Sequence, residues 1–328
     1  MTPARKLQSP RTTASATTAA AHPNGLPPFV EPMLARPGEA FDSDQHLFEI
    51  KWDGTRALAL IEAGQCRLIN RRRIDITTRF PELAQVLCRL PSGTMLDGEV
   101  VVLRPQDGKP DFNALQSRDQ TRSAERARHA SQRSPATFIA FDQLYRAGES
   151  IMTLPLQDRR AILTQTLQTL GNEPRVILSQ GIVGNGKAYF QQACLECLEG
   201  IVAKRLGSPY QPGKRTDAWI KVKRQEVVHC LVIGFVPEGE NDFGALIIAA
   251  ELAGQVRCVG KVGTGFDARR RKRINQFLWS HLRTRPIVAP GKYAGRWVEP
   301  GLYCAVRCME RTAAGQLRAP AVVEIYDR

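Results

Sequence analysis

The sequence predicts an α+β chain of two domains, and three observations carry that prediction. From Phe29 to Arg224 short strand-like runs alternate with segments of helical spacing. Beyond Arg224 the pattern turns to short strands at the regular spacing of a small β-barrel. The 328 residues, 43% of them hydrophobic, are enough for two separate cores.

Residues 1–28 are rich in Ser, Thr, Ala and Pro, carry Arg5, Lys6 and Arg11 and contain no acid, so they read as a disordered basic tail. The same composition would suit an organelle transit peptide, but amphipathic periodicity is absent. In the first domain, 29–224, "LFEIKW", "RALALIE", "CRLIN", "TMLDGEVVVL" and "TFIAFDQLY" have strand character. "RFPELAQVLCRL" and "LQDRRAILTQTLQTL" have helical spacing. The arginine-dense stretch Ser117 to Arg133 lacks a clear core face and reads as an exposed helix or a mobile loop. In the second domain, 225–328, the strands "VVHCLVIGFV", "GALIIAAEL" and "QVRCVGKVG" precede a basic helix from Asp267 to Leu282.

Charge narrows the partners. Lys and Arg number 46 against 32 acids, a net charge of +14, which favours a polyanion, and no broad apolar face accompanies the arginine clusters to suggest a membrane. No apolar run approaches the roughly 20 residues that span a bilayer, so nothing in the sequence reads as a membrane-spanning helix. Eight dispersed cysteines without a secretory signal read as reduced thiols. Cys194 and Cys197 form a C-x-x-C that lacks a well-spaced second half for zinc and sits in what reads as a helix leading into a buried strand.

Five segments place charge beside apolar strand, one of them "FIAFDQLY" with Phe141 and Asp142. "FEIKWDGTRALAL" reads as a strand, a tight Asp-Gly turn and a second strand, with Phe48, Ile50 and Trp52 on one face and Glu49, Lys51 and Asp53 on the other. Taken alone, it is equally a hairpin with a solvated charged face. "LDGEVV" holds Glu99 in a strand that should be mostly buried, and "LEGIVAKR" holds Glu199 and Lys204. In "AWIKVK", Ile220 and Val222 face one way and Lys221 and Lys223 the other. Isolated like charges on a packed strand are costly to bury, and a polyphosphate ligand explains them. A competing phosphate site, Gly181 to Lys187, fits G-x-x-x-x-G-K, but Ala188 stands where a P-loop needs a hydroxyl for Mg²⁺.

These segments resemble the covalent nucleotidyltransferases, specifically the ATP-dependent DNA ligases, and most of all the ligase domain of the bacterial end-joining type. "KWDGTR" looks like the family's K-x-D-G-x-R, and "NRRRIDITTRFPEL", "LDGEVV", "FDQLYRAGESIMTLPLQDRRAIL", "EGIVAKRLGSPYQPGKRTDAWIKVK" and "FGALIIAAELAGQVRCVGKVGTGFD" follow in the family's order. The resemblance implies a nucleotidyltransferase (adenylation) domain with antiparallel sheets flanked by helices, then an OB-fold domain. It implies that Lys51 is the nucleophile that takes AMP from ATP. Glu49 and Arg56 would then touch the adenine and ribose side, Arg71 help hold the nucleotide and Phe141 stack on the base. Lys204, Arg215, Lys221 and Lys223 would serve the phosphates, and Glu99 and Glu199 would face Mg²⁺, for which Mn²⁺ could substitute.

The implied partners are duplex DNA with nicks or ends and an end-binding protein, the implied state a monomer, and the implied location of any hinge Lys223 to Glu226. Arg71 to Arg73 and Arg269 to Arg273 fit phosphate-backbone contacts. An RNA ligase, a capping guanylyltransferase, or an impaired nucleic-acid-binding protein would share parts of this pattern. Two departures from the family stand out: "NRRR" puts Asn70 and Arg73 where small residues form a turn, and Ile325 lies where an Arg is expected before Asp327 and Arg328.

Overall fold

The computed structural model describes residues 25–252, 254–308, 310–312 and 315–327. The basic-tail assignment therefore falls, up to residue 24, outside the described residues, as does Arg328. In chain order the first elements are β1 (Leu34–Pro37), β2 (Ser43–Ile50), β3 (Thr55–Glu62), β4 (Gln65–Asn70), α1 (Pro81–Leu87), β5 (Thr94–Val102), α2 (Phe112–Asp119) and α3 (Ala124–Arg133). Next come β6 (Ala136–Arg146), β7 (Glu149–Ser150), α4 (Leu156–Gln168), β8 (Val176–Leu178), β9 (Gly181–Gly184), α5 (Gly186–Leu195), β10 (Gly200–Arg205) and β11 (Arg215–Lys223). The C-terminal part holds β12 (Glu226–Glu238), β13 (Asp242–Leu252), β14 (Gln255–Val262), α6 (Ala268–Ser280), β15 (Leu282–Arg283) and β16 (Arg296–Val298). It ends with β17 (Leu302–Cys308), β18 (Glu310–Arg311), β19 (Leu317–Arg318) and β20 (Ala321–Asp327).

The chain divides into two compact units, and the division crosses the sequence several times. The first takes residues up to Met33, then Gly54–Ser179 and Gly207–Lys214; the second takes Leu34–Asp53, Gln180–Leu206 and Arg215 onward. The first unit is built on a six-stranded sheet in the order β4-β3-β5-β6-β7, with β8 parallel to β6. Alternation decides its faces. Ala57, Ala59 and Ile61 of β3 and Leu96, Val100 and Val102 of β5 pack in one core with Leu83 and Leu87 of α1 and Leu163 and Leu167 of α4. Pro81 opens α1 at its first turn, where its missing N–H costs nothing.

Ser117 to Arg133 forms neither a loop nor one helix. Asp111 caps α2 by accepting from Ala114 N–H at 2.9 Å, and Ser123 caps α3. The missing core face is supplied by an arginine: Arg118 is 2% exposed, donates to Glu82 Oε2 at 3.0 Å and ties α2 to the carbonyls of Ser134 and Arg79.

The second unit holds a five-stranded sheet, β1-β11-β10-β2-β9, and the C-terminal sheet, β14-β13-β12-β16-β15 with β17 on β12 and β20 on β17. In the five-stranded sheet Phe48, Ile201, Ala203 and Val222 share a core with Ala193 of α5. β12 is long enough to change partners, pairing β17 through Leu231 and β13 from Leu231 onward, with a bulge near Gly234. That glycine is required by close approach, since a Cβ there would lie 2.5 Å from the Arg296 carbonyl.

The Asp-Gly hairpin expected at 53–54 is not formed. β2 pairs with β10 and β9, and β3 pairs with β4 and β5, so the segment from Lys51 to Gly54 links two sheets. β2 ends at Ile50, and Lys51, Trp52 and Asp53 lie beyond it. The glycine answers a packing need rather than a turn: a Cβ on Gly54 would stand 2.3 Å from Val100 O and 2.8 Å from Glu99 Cγ.

Candidate active site

Lys51 is fixed first by its backbone. Its N–H donates to Gly200 O at 2.9 Å, which extends the β2–β10 ladder one residue past the strand. Its Nζ donates to Glu199 Oε2 at 2.5 Å, and Lys223 Nζ lies 2.8 Å from Glu199 Oε1. The Glu199 side chain is only 7% exposed, so one buried carboxylate holds two ammonium groups.

Alternation along β11 behaves as the sequence indicates, with Ile220 and Val222 on the core side and Lys221 and Lys223 off it. Burial lowers the Lys221 pKa from the usual lysine range, and the charges of Lys223, Arg215 and Lys51 lower it further, with Glu199 pulling the other way. These cations act on one another, with Glu199 pulling against them at Lys221, and such a gathering of positive charge favours an incoming polyanion. Arg215 also donates to the Ala35 carbonyl.

Glu49 and Lys204 form a second pair. Their register places Glu49 against Val202, and its carboxylate meets Lys204 Nζ with both side chains at 3% exposure or less. Lys204 Nζ also stands 4.5 Å from the centroid of the Trp219 ring.

In the first unit, Arg56 faces Glu99 directly across the β3–β5 ladder. Its guanidinium is largely committed within the protein, donating to Asp97 Oδ1 at 2.9 Å, Asp97 Oδ2 at 2.6 Å and Met33 O at 2.7 Å. Burial opposes that charge, but Asp97, with Tyr210 and Glu99, more than offsets burial and raises its pKa. The Arg56 guanidinium carbon lies 5.3 Å from the Phe141 ring centroid, which brings those two expected residues together. Arg71 stands exposed on the turn after β4.

Sequence reasoning missed Asp97 and Tyr210. Tyr210 Oη donates to Asp97 Oδ2 at 2.7 Å and accepts from Met33 N–H at 2.9 Å; burial and the Asp97 charge push its phenol well above the ordinary range. The signal for Asp97 was present in "LDGEVV", an acid in a strand expected to be mostly buried, where only Glu99 was singled out. Sequence reasoning set Asp53 on one strand face with Lys51, whereas the structure gives it a partner from the far end of the chain: Arg318 Nη1 lies 2.6 Å from Asp53 Oδ2, and Nη2 lies 3.2 Å from Oδ1.

The two departures now have structural descriptions. Asn70 Oδ1 accepts from Arg72 N–H at 2.9 Å and Ile74 N–H at 3.0 Å, and Arg73 adopts φ +61, so the turn that a glycine would make is kept by a side-chain cap. Ile325 packs against the apolar core of the C-terminal sheet and brings no cation there, while Asp327 pairs with Arg273.

Gly181 to Lys187 does not build a phosphate cradle. Gly181 and Gly184 bound β9, and Lys187 is exposed. The Lys187 N–H, at the start of α5, donates to the Asp42 carboxylate at 2.9 Å. Gly186 is needed because a Cβ would lie 2.2 Å from Phe41 O.

For a divalent cation, no three His, Cys, Asp or Glu side chains gather among the described residues. The donor chemistry nonetheless fits Mg²⁺, which binds one or two carboxylates and completes its shell with water and phosphate oxygens. Glu199 already gathers two cations, and Glu99 is a half-buried hard oxygen donor.

An α+β fold with a lysine held among these cations defines a nucleotidyltransferase-type ligase domain. Residues 32–223 match the ATP dependent DNA ligase domain and residues 239–327 the ATP dependent DNA ligase C terminal region, so the chain belongs to the ATP-dependent DNA ligase family. The multifunctional non-homologous end joining protein LigD of Pseudomonas aeruginosa is 32% identical over 304 residues, 89% of this chain and 35% of that protein. DNA ligase C2 of Mycolicibacterium smegmatis is 32% identical over 263 residues, 79% of this chain and 71% of that protein. A solved structure of mycobacterial DNA ligase D complexed with ATP and MES is similar at a TM-score of 0.53 and 29% identity, covering 91% of this chain and 95% of that one. The chain spans 35% and 38% of the length of two LigD relatives, those of Pseudomonas aeruginosa and Mycolicibacterium smegmatis.

Proposed function

We propose that the chain seals nicks or breaks in duplex DNA at the expense of ATP through a lysine-AMP intermediate on Lys51. The observation that carries this reading is the Lys51 Nζ contact with buried Glu199 at 2.5 Å, in the company of Lys221, Lys223 and Arg215. In the first step the Nζ lone pair attacks the α-phosphorus, a P–N bond forms and pyrophosphate leaves. Glu199 Oε2 orients the amine and accepts the proton that Nζ sheds. Lys221, Lys223 and Arg215 neutralise the phosphates, which is most of what a protein can contribute to phosphoryl transfer.

By its resemblance to the family, Phe141 stacks on the base, Glu49 and Arg56 address the adenine and ribose side, and Lys204 and Arg71 complete the nucleotide contacts. Glu99 and Glu199 would hold Mg²⁺, or Mn²⁺ in its place, which when bound neutralises phosphate charge. The AMP then passes to a DNA 5′-phosphate, and the neighbouring 3′-hydroxyl displaces it. The domain division that suits this cycle is an adenylation domain over 29–224 and an OB-fold over 225–328. A monomer acting on DNA in the bacterial cytoplasm, with an end-binding protein as partner, completes the reading.

The test is incubation with α-labelled ATP or GTP and Mg²⁺, comparing wild type with Lys51→Ala and Lys187→Ala. Label from ATP that is lost only in Lys51→Ala is the expected outcome. Label from GTP alone would point to a capping-type enzyme, and label lost in Lys187→Ala would revive the P-loop.

A further inference from the structure

Cys194 and Cys197 form the one C-x-x-C of the chain, and the ligase reading gives them no task. The helix α5 ends there in a Schellman turn: Leu198 N–H donates to Ala193 O at 2.9 Å, and Cys197 N–H donates to Cys194 O at 3.0 Å. The position such a turn normally gives to glycine is Cys197, at φ +56. A left-handed conformation disfavours any side chain with a Cβ, yet the residue here is a second thiol three positions from the first.

The hydrogen bond between them also sets their separation. A turn closed from residue i to i+3 keeps the Cα atoms within about 7 Å, and a disulfide spans roughly 4.4–6.8 Å. Cys197 is exposed and Cys194 half-buried, whereas Cys66, Cys230, Cys304 and Cys308 are buried. Burial pushes the Cys194 thiol pKa up; Arg224 opposes this and the Cys197 thiol adds to it, so the two sulfurs lie within each other's influence.

The turn also leads straight into the lysine cluster. Leu198 packs against the core formed by Phe48, Ala193 and Ile201, and the next residue, Glu199, holds Lys51 and Lys223. The Glu199 carbonyl accepts from Arg224 N–H at 2.9 Å.

We propose that Cys194 and Cys197 are a dithiol switch closed by a small-molecule disulfide, and that closure slows charging of Lys51 by resetting the turn that delivers Glu199. The exposed Cys197 attacks the small disulfide, forming a mixed disulfide and releasing one thiol. Cys194 then attacks the Cys197 sulfur, forming the internal S–S bond and releasing the second thiol. Two electrons pass from the protein dithiol to the small disulfide, and both protein protons end on the released thiols. The closing chemistry is independent of the ligase reading, but the control of charging rests on Lys51 being the AMP acceptor.

The test equilibrates the full chain in graded mixtures of reduced and oxidised glutathione, then measures intact mass, maps the linked peptides and follows labelling from α-labelled ATP. The expected wild-type result is a loss of two hydrogens, a 194–197 crosslink and labelling slowed about tenfold, all reversed by a reductant. Cys197→Gly gives the turn its favoured residue and should label at the reduced wild-type rate in every mixture. The proposal is overturned by the absence of a 194–197 crosslink at any ratio, by a mixed disulfide on Cys197 that never closes, or by a crosslink that leaves labelling unchanged. Reduced wild type that takes no label would strike the Lys51 reading and the control with it, whereas the crosslink is read by mass alone.

Discussion

In the proposed site, Lys221 is where folding and ligand binding would pull in opposite directions. Its pKa is lowered by burial and by Lys223, Arg215 and Lys51, so the folded chain holds this proton less tightly than the unfolded chain does. The resulting cost to folding is fully present below the folded pKa and fades as pH rises toward the unfolded lysine value of about 10.4. Lys221→Met should therefore have a higher Tm than wild type at pH 7, with the difference shrinking as pH is raised toward 10. The same change should slow labelling of Lys51 from ATP by about 10–100-fold, the worth of a charge-assisted hydrogen bond to phosphate. A Tm no higher than wild type at neutral pH, or a difference that does not change with pH, would mean that the cation cluster is not strained.

At the scale of elements, the link between β2 and β3 and the docking of α2 are the points where packing overrides local signals. Gly54→Ala pushes a Cβ to 2.3 Å from a backbone carbonyl of β5, which cannot swing away as a side-chain tip could. Unfolding by denaturant should show a loss of about 1–3 kcal/mol, the range for overpacking; a loss under half a kcal/mol would show that the β2–β3 link has room. Arg118→Ala strands Glu82 in the interior and should cost about 3–5 kcal/mol. The double change Arg118→Met with Glu82→Leu should recover most of that, and a double variant as unstable as the single would mean that the carbonyl contacts of Arg118 carry the docking. These two places also mark what the sequence could and could not reveal. The alternation in "AWIKVK" was legible because strand periodicity is local, and it set Lys221 and Lys223 on one face; Lys51 and Glu199 were joined to them by the family resemblance, and it is the fold that brings the four together. The Asp-Gly pair was read as a hairpin because its spacing suits one, while the choice of β10 over β3 as partner for β2 is made by residues far along the chain, as in the pairing of Ile50 with Ile201. Asp97 and Tyr210 escaped for the same reason, since only the fold brings residues 113 apart into contact.

For the whole molecule, the net charge of +14 is the largest statement the sequence makes about binding, and the fold shows that part of each arginine cluster is already engaged by acids of the chain itself. Within Arg269 to Arg273, Arg270 bonds to the Val323 carbonyl and pairs with Asp267; Arg271 is held by Glu238 and Asp242 and Arg273 by Asp327. Arg269 and Lys272 are exposed on the same helix. Within Arg71 to Arg73, Arg73 is engaged with Glu31. Counting every arginine as a phosphate contact would therefore overstate the salt dependence of DNA binding. Each phosphate neutralised contributes a slope of about −0.9 to log K against log salt. If Arg269 and Lys272 both touch the backbone of nicked duplex, the Arg269→Gln, Lys272→Gln pair should flatten the slope by about 1.8 and weaken binding alike for every sequence. Arg271→Gln should instead lower Tm, through the loss of its acidic partners, and leave the slope near its wild-type value. Fluorescence titration of nicked duplex at several salt concentrations reads both. A slope that drops with Arg271→Gln and stays fixed with the double change would reverse the assignment, placing the DNA on the face that Arg271, Glu238 and Asp242 share.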